Sequence, residues 1–174
     1  MGREWVRQGH QVTVLTCAPN VPTGVVYDGY RNKLCQEEWV DGIRAIRVWT
    51  YLAANAGTLR RTVNFVSYLA AATVAAPFVR RPDVVIATSP QFFAGWAGVP
   101  AHWVHRVPFV LEIRDLWPES ITAVGAMDRG LAVRALELME RGLYASADHI
   151  VTVGDGYKEP LAARGVPAGT IAVG

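Results

Sequence analysis

The sequence predicts an α/β fold: a mostly parallel sheet with helices on both faces and one β-hairpin excursion. Three observations lead there. Short β-branched runs alternate with helical segments from residue 62 onward, the pattern of βαβ units. Val84–Thr88 is apolar almost throughout, as strands covered on both faces are. The dipeptide Asp41-Gly42 sits between two strand-like runs and favours a two-residue hairpin turn.

Taken in order, residues 1–9 (MGREWVRQG) read as the last turns of a helix closed by Gly9. A parallel α/β fold normally opens on a strand, so the start reads as truncated and the first strand as lacking. Gln11–Thr16 is a strand; residues 18–33, with Pro19, Asn20, Pro22, Gly24 and Gly29, form a long loop. Leu34–Val40 and Ile43–Thr50 are the arms of the hairpin. Thr62–Val79 carries no charge and is Ala-rich, which predicts a helix. Val84–Thr88 is the next strand, and Ser89-Pro90 opens another helix as N-cap and first position. Phe109–Ile113 is a strand, Arg129–Ser146 a helix, His149–Val153 a strand, Asp155–Arg164 a helix, and Ile171–Val173 a last strand that runs off the end. The whole of 1–174 thus reads as one domain, cut at both ends.

Composition excludes several classes. Hydrophobic residues make up 51% and charged residues 18% of 174, enough for a packed core. A net charge of +2, with no basic run interleaved with aromatics, gives no footprint for nucleic acid. The arginine pairs Arg60-Arg61 and Arg80-Arg81 suit phosphate, on a nucleotide, a lipid carrier or a membrane surface. Cys17 and Cys35 lack metal-ligand spacing and read as two reduced core thiols of a cytoplasmic protein. His10, His102, His105 and His149 are scattered, so no metal site is expected. No apolar leader of a signal peptide occurs in residues 1–10. A core helix explains Thr62–Val79 most simply; interfacial docking and a membrane span are the rivals, weakened by Asn64, Ser67, Thr73 and Pro77.

In an open parallel sheet ligands bind beyond the carboxyl ends of the strands. After Ile113 come Arg114, Asp115, Glu119 and Ser120, with Pro118 starting a helix. Asp115 could accept a proton or a hydroxyl hydrogen bond, and Arg114 could hold a phosphate. The plainer reading pairs Arg114 with Asp115 or Glu119 and makes the set a secured turn. After Thr88, Ser89 borders the crevice or serves only as an N-cap; Gly154-Asp155-Gly156 permits close backbone approach but is a weak signal. The loop after Thr16 holds Asn20, Thr23, Tyr27, Asp28, Tyr30, Arg31 and Asn32, a hydrogen-bonding set that suits carbohydrate.

Ala18–Tyr51, the stretch Arg81–Pro90 (RPDVVIATSP) and Arg114–Ser120 (RDLWPES) resemble bacterial glycosyltransferases of family 4, within it the subgroup that builds O-antigen and colanic-acid-type polysaccharides. The resemblance implies the N-terminal, acceptor-side half of a GT-B enzyme: two Rossmann-like domains across a cleft, retention of anomeric configuration, and no metal requirement. It implies a nucleotide-sugar donor held by a C-terminal domain and a glycan or polyprenyl-diphosphate-linked acceptor. It places the protein in the cytoplasm, with peripheral contact at the inner face of the plasma membrane. Residue by residue, Asp115 falls where relatives put an acidic or histidine group beside the reacting sugar, with Arg114 and Glu119 supporting it. Asn20, Thr23 and Tyr27 would line the acceptor side, and Ser89 and Gly154 would border the cleft. Gly154 stands where many relatives have Ser. Without the second domain the chain is expected to be inactive alone. The alternatives are a non-catalytic Rossmann-like binding module, or an acceptor-binding subunit completed by a separate donor-domain chain. A dehydrogenase lacks support, since no Gly-x-Gly-x-x-Gly followed by an acidic residue occurs.

Overall fold

The structure, a computed structural model, describes residues 1–20, 23–53, 58–89, 92–116 and 131–174. It divides into two compact units, Met1–Ala75 and Ala76–Gly174.

The first unit begins with a short helix α1 (Gly2–Arg7) and a strand β1 (Thr13–Cys17). The hairpin β2 (Cys35–Val40) and β3 (Ile43–Val48) follows, then α2 (Thr58–Ala75). Asp41 and Gly42 have φ of 52° and 80°, the left-handed pair that lets a two-residue turn follow the strands' twist. The sheet order is β1-β3-β2, with β3 antiparallel to β2 and parallel to β1. The hairpin is therefore an excursion only through β2. Composition explains the choice: β3 buries Ala45, Ile46 and Val48 in the centre, whereas β2 carries Gln36, Glu37 and Glu38 at the edge. Cys17 and Cys35 both lie opposite Val48, on either side of β3. Two strand spacings, about 9–10 Å, exceed the ~7 Å reach of a disulfide, and both thiols are free. Neither is a core thiol: Cys17 is half-buried, and Cys35 is exposed because it sits on the edge strand.

α2 starts earlier than its uncharged stretch suggests, because Arg60 and Arg61 belong to its first turns. It gives way to a 3-10 turn at Ala76–Phe78, where Pro77 has no N–H to continue the helix. One face packs on the sheet: Ala72 is fully buried, and the Tyr68 hydroxyl donates to the Leu15 carbonyl at 2.9 Å. The other face exposes Leu59, Val63, Val66 and Val74. The expected core helix is thus a half-buried one. No helix among the described residues is long and apolar enough to cross a membrane.

The second unit is β4 (Val85–Thr88), α3 (Phe92–His105), β5 (Phe109–Ile113), α4 (Leu131–Ser146), β6 (His149–Thr152), α5 (Lys158–Ala163) and β7 (Ile171–Val173). Its four strands run parallel in the order β4-β5-β6-β7. Alternate residues of β5, Phe109, Leu111 and Ile113, are fully buried, and with Ile150 of β6 they meet Phe92, Val99, Leu143 and Leu161 from the helices. Glycine lets α3 approach both α4 and β5: a Cβ on Gly95 would stand 3.0 Å from Leu143 and 3.4 Å from Leu111. At the base of α5, Glu140 is buried and accepts from the Tyr144 hydroxyl at 2.6 Å and from Arg164 at 3.3 Å. Buried carboxylates persist when paired and hydrogen-bonded in this way.

Candidate functional site

In the second unit the residues past the strand ends converge on the chain leaving β5. Ser89 follows β4, and its N–H donates to the Glu112 carbonyl at 2.8 Å, extending the ladder one step. Beyond Ile113 the backbone bends at Arg114 and Asp115. The Arg114 carbonyl accepts from the Tyr157 hydroxyl at 2.7 Å, and the Asp115 carbonyl accepts a longer bond, 3.4 Å, from the Ser89 hydroxyl. Tyr157 comes from the 3-10 turn Asp155–Tyr157 after β6, and its side chain packs against the core.

Arg114 does not pair with Asp115. Its guanidinium turns back to Glu112, two residues earlier on β5, at 3.1 Å. Glu112 is itself 8% exposed, so this pair holds a carboxylate in the middle strand that would be costly alone. Asp115, by contrast, is exposed, and its carboxylate forms no hydrogen bond or ion pair among the described residues. An acidic oxygen is thus presented at the carboxyl end of a central strand, on a backbone gripped from both neighbouring strands. Such a group can accept a hydrogen bond from a substrate hydroxyl.

Gly154 follows β6 with extended backbone, φ 180°, and its carbonyl accepts from the Thr152 hydroxyl at 3.1 Å. A Cβ there would meet nothing within 4 Å. The space is open, but the backbone does not require glycine. Glu119, together with Trp117, Pro118 and Ser120, lies outside the described residues, as does Pro90 of the expected N-cap pair.

Asn20, Thr23 and Tyr27 belong to the first unit, past the end of β1. Asn20 is buried, and its side-chain amide donates to the Ala18 carbonyl at 3.0 Å while its backbone carbonyl receives the Gly24 N–H at 2.6 Å. Its side chain shapes the loop's own turn. Thr23 is exposed and accepts from the Val25 N–H at 3.3 Å. Tyr27 anchors the loop through its backbone, N–H to the Pro19 carbonyl at 3.1 Å, and the residue is 45% exposed. Two contacts fix this loop further. Asn32 makes a two-way bond to the backbone of Thr50, at 2.7 and 3.2 Å. Arg47 donates to Glu38 at 2.7 Å and to the Cys17 carbonyl at 3.0 Å, and stacks 4.9 Å from the Tyr30 ring.

The sequence reading missed Arg47, Glu112 and Tyr157. Glu112 carried a signal, being an acid inside an otherwise apolar strand. The other two did not. Of the histidines, His102 contacts the Val107 carbonyl and His105 the Ala76 carbonyl, at 2.6 and 2.9 Å. Among the described residues no three His, Cys, Asp or Glu side chains gather as metal ligands.

A parallel sheet with an acid offered past its central strand defines a Rossmann-like α/β domain, consistent with half of a GT-B fold. The chain belongs to the glycosyl transferase 4-like domain family, whose sequence model matches residues 1–173. It is a glycosyltransferase N-terminal domain. Comparison with curated proteins gives no match.

Proposed function

We propose that this domain is the acceptor-side half of a retaining glycosyltransferase. The complete enzyme moves a sugar from a nucleotide donor to a polyprenyl-diphosphate-linked glycan in cell-surface polysaccharide synthesis of the O-antigen or colanic-acid type. The bond from the sugar's anomeric carbon to the donor phosphate breaks, one to the oxygen of an acceptor hydroxyl forms, and the nucleotide diphosphate leaves, its phosphate taking the hydroxyl's proton. Asp115 accepts the hydrogen bond of that hydroxyl and orients it. Arg114 acts one step removed, neutralising Glu112 beneath the loop. Ser89 and Gly154 border the cleft in the same unit as Asp115. The donor domain holds the nucleotide-sugar, and no metal takes part.

The observation that carries this reading is Asp115, exposed at the end of a central strand on a held backbone. The exposed apolar face of α2, with Arg60 and Arg61 in its first turns, suits a peripheral position on the inner face of the plasma membrane. The test is transfer by the complete enzyme from a panel of labelled nucleotide-sugars to a polyprenyl-diphosphate-linked acceptor, with and without a chelator. Chelator-resistant transfer with the donor's anomeric configuration kept supports the reading. Inverted products, or binding without transfer, contradict it.

A further inference from the structure

The carbonyl of Glu112 points to the β4 side, since it accepts from the Ser89 N–H. In a straight strand successive carbonyls alternate sides, so the Arg114 carbonyl would also point to β4 and that of Asp115 to β6. The hydrogen bonds run the other way. Arg114 is held by Tyr157, which follows β6, and Asp115 by Ser89, which follows β4. The chain has therefore turned at this bend, and the ladder cannot hold it there, because β4 ends at Thr88 and β6 at Thr152. Two hydroxyls take over where the strands stop.

We propose that Tyr157, with Ser89, is a positioning residue that fixes the bend at Arg114–Asp115 and thereby the direction of the Asp115 carboxylate. The inference rests on the reading of Asp115 given above. Tyr157 suits the task because its ring is seated against the core while only its hydroxyl reaches the loop. Ser89 is buried, so its shorter arm also moves little. Neither residue touches substrate in this account; each acts through the backbone of the acid.

The test uses the complete enzyme and the variants Tyr157→Phe, Ser89→Ala and Asp115→Asn. Tyr157→Phe keeps the ring and removes one oxygen. Its kcat should fall about tenfold or more, as small misplacements at a reacting centre do, while the donor KM stays put. In the Asp115→Asn background Tyr157→Phe should have no further effect, because groups acting as one unit are not additive. An unchanged kcat in Tyr157→Phe overturns the proposal. A full second drop in the Asp115→Asn background overturns it too, showing that the hydroxyl acts elsewhere. Full turnover in Asp115→Asn alone removes the underlying reading of the site, and the positioning role with it.

Discussion

A Cβ placed on Gly98 would stand 2.6 Å from Cε2 of Phe109 and 2.9 Å from the Cβ of Ala87. α3 thus rests on β4 and β5 with no room for a methyl group. Gly98→Ala should lower stability by about 1–3 kcal/mol, because overpacking outweighs the better helix propensity of alanine. Urea unfolding measures this. Gly142→Ala is the control: its Cβ would meet Trp96 at an ordinary 3.5 Å, and it should be neutral or stabilising.

The two thiols should react at very different rates. Burial pushes the Cys17 thiol up, only partly offset by its backbone hydrogen bond and by Arg47, so little thiolate forms. Cys35 lies exposed on the edge strand. An aromatic disulfide reagent should titrate one thiol quickly and the half-buried second one more slowly, with the difference lost in denaturant. Cys35→Ser should abolish the fast phase; a fast phase surviving in that variant would contradict the burial of Cys17.

Stability should decline in alkali through two tyrosines. Burial raises the Tyr68 phenol, and burial with the Glu140 carboxylate raises that of Tyr144, both well above the ordinary 10.0. The unfolded chain then loses these protons first. Their stabilisation is fully present below pH ~10 and is lost as pH climbs towards the folded values. Urea midpoints taken between about pH 8 and 11 should fall more gently in Tyr144→Phe than in the parent. Equal slopes would show that Tyr144 ionises as freely folded as unfolded.

Gly154→Ser should change stability by less than about 0.5 kcal/mol. The backbone there is extended and the space around a Cβ is empty. A loss of several degrees in melting temperature would mean the loop needs glycine after all.

Much of the fold was legible because it is local. Phe109–Ile113 and Ile171–Val173 begin and end where their β-branched and apolar runs do, and the Asp41-Gly42 turn follows from two residues. Where a local signal misled, the reason was also local. Searching for an uncharged stretch left Arg60 and Arg61 outside α2, although an exposed first turn tolerates charge. The central place of β3 needed its burial weighed against that of β2. In the site, Asp115 could be found from its position after a strand. Its supports could not. Tyr157 meets Arg114 across 43 residues, and Arg47 meets Cys17 across 30; both contacts depend on strand register, which no short window contains.

The most direct test is the turnover of the complete enzyme carrying Asp115→Asn, with its melting temperature measured alongside. Because Asp115 is exposed and forms no ion pair among the described residues, folding should be nearly unaffected. Turnover should fall about a hundredfold or more, within the range a positioned acid or base supplies. Undiminished turnover in a well-folded Asp115→Asn enzyme would contradict the account.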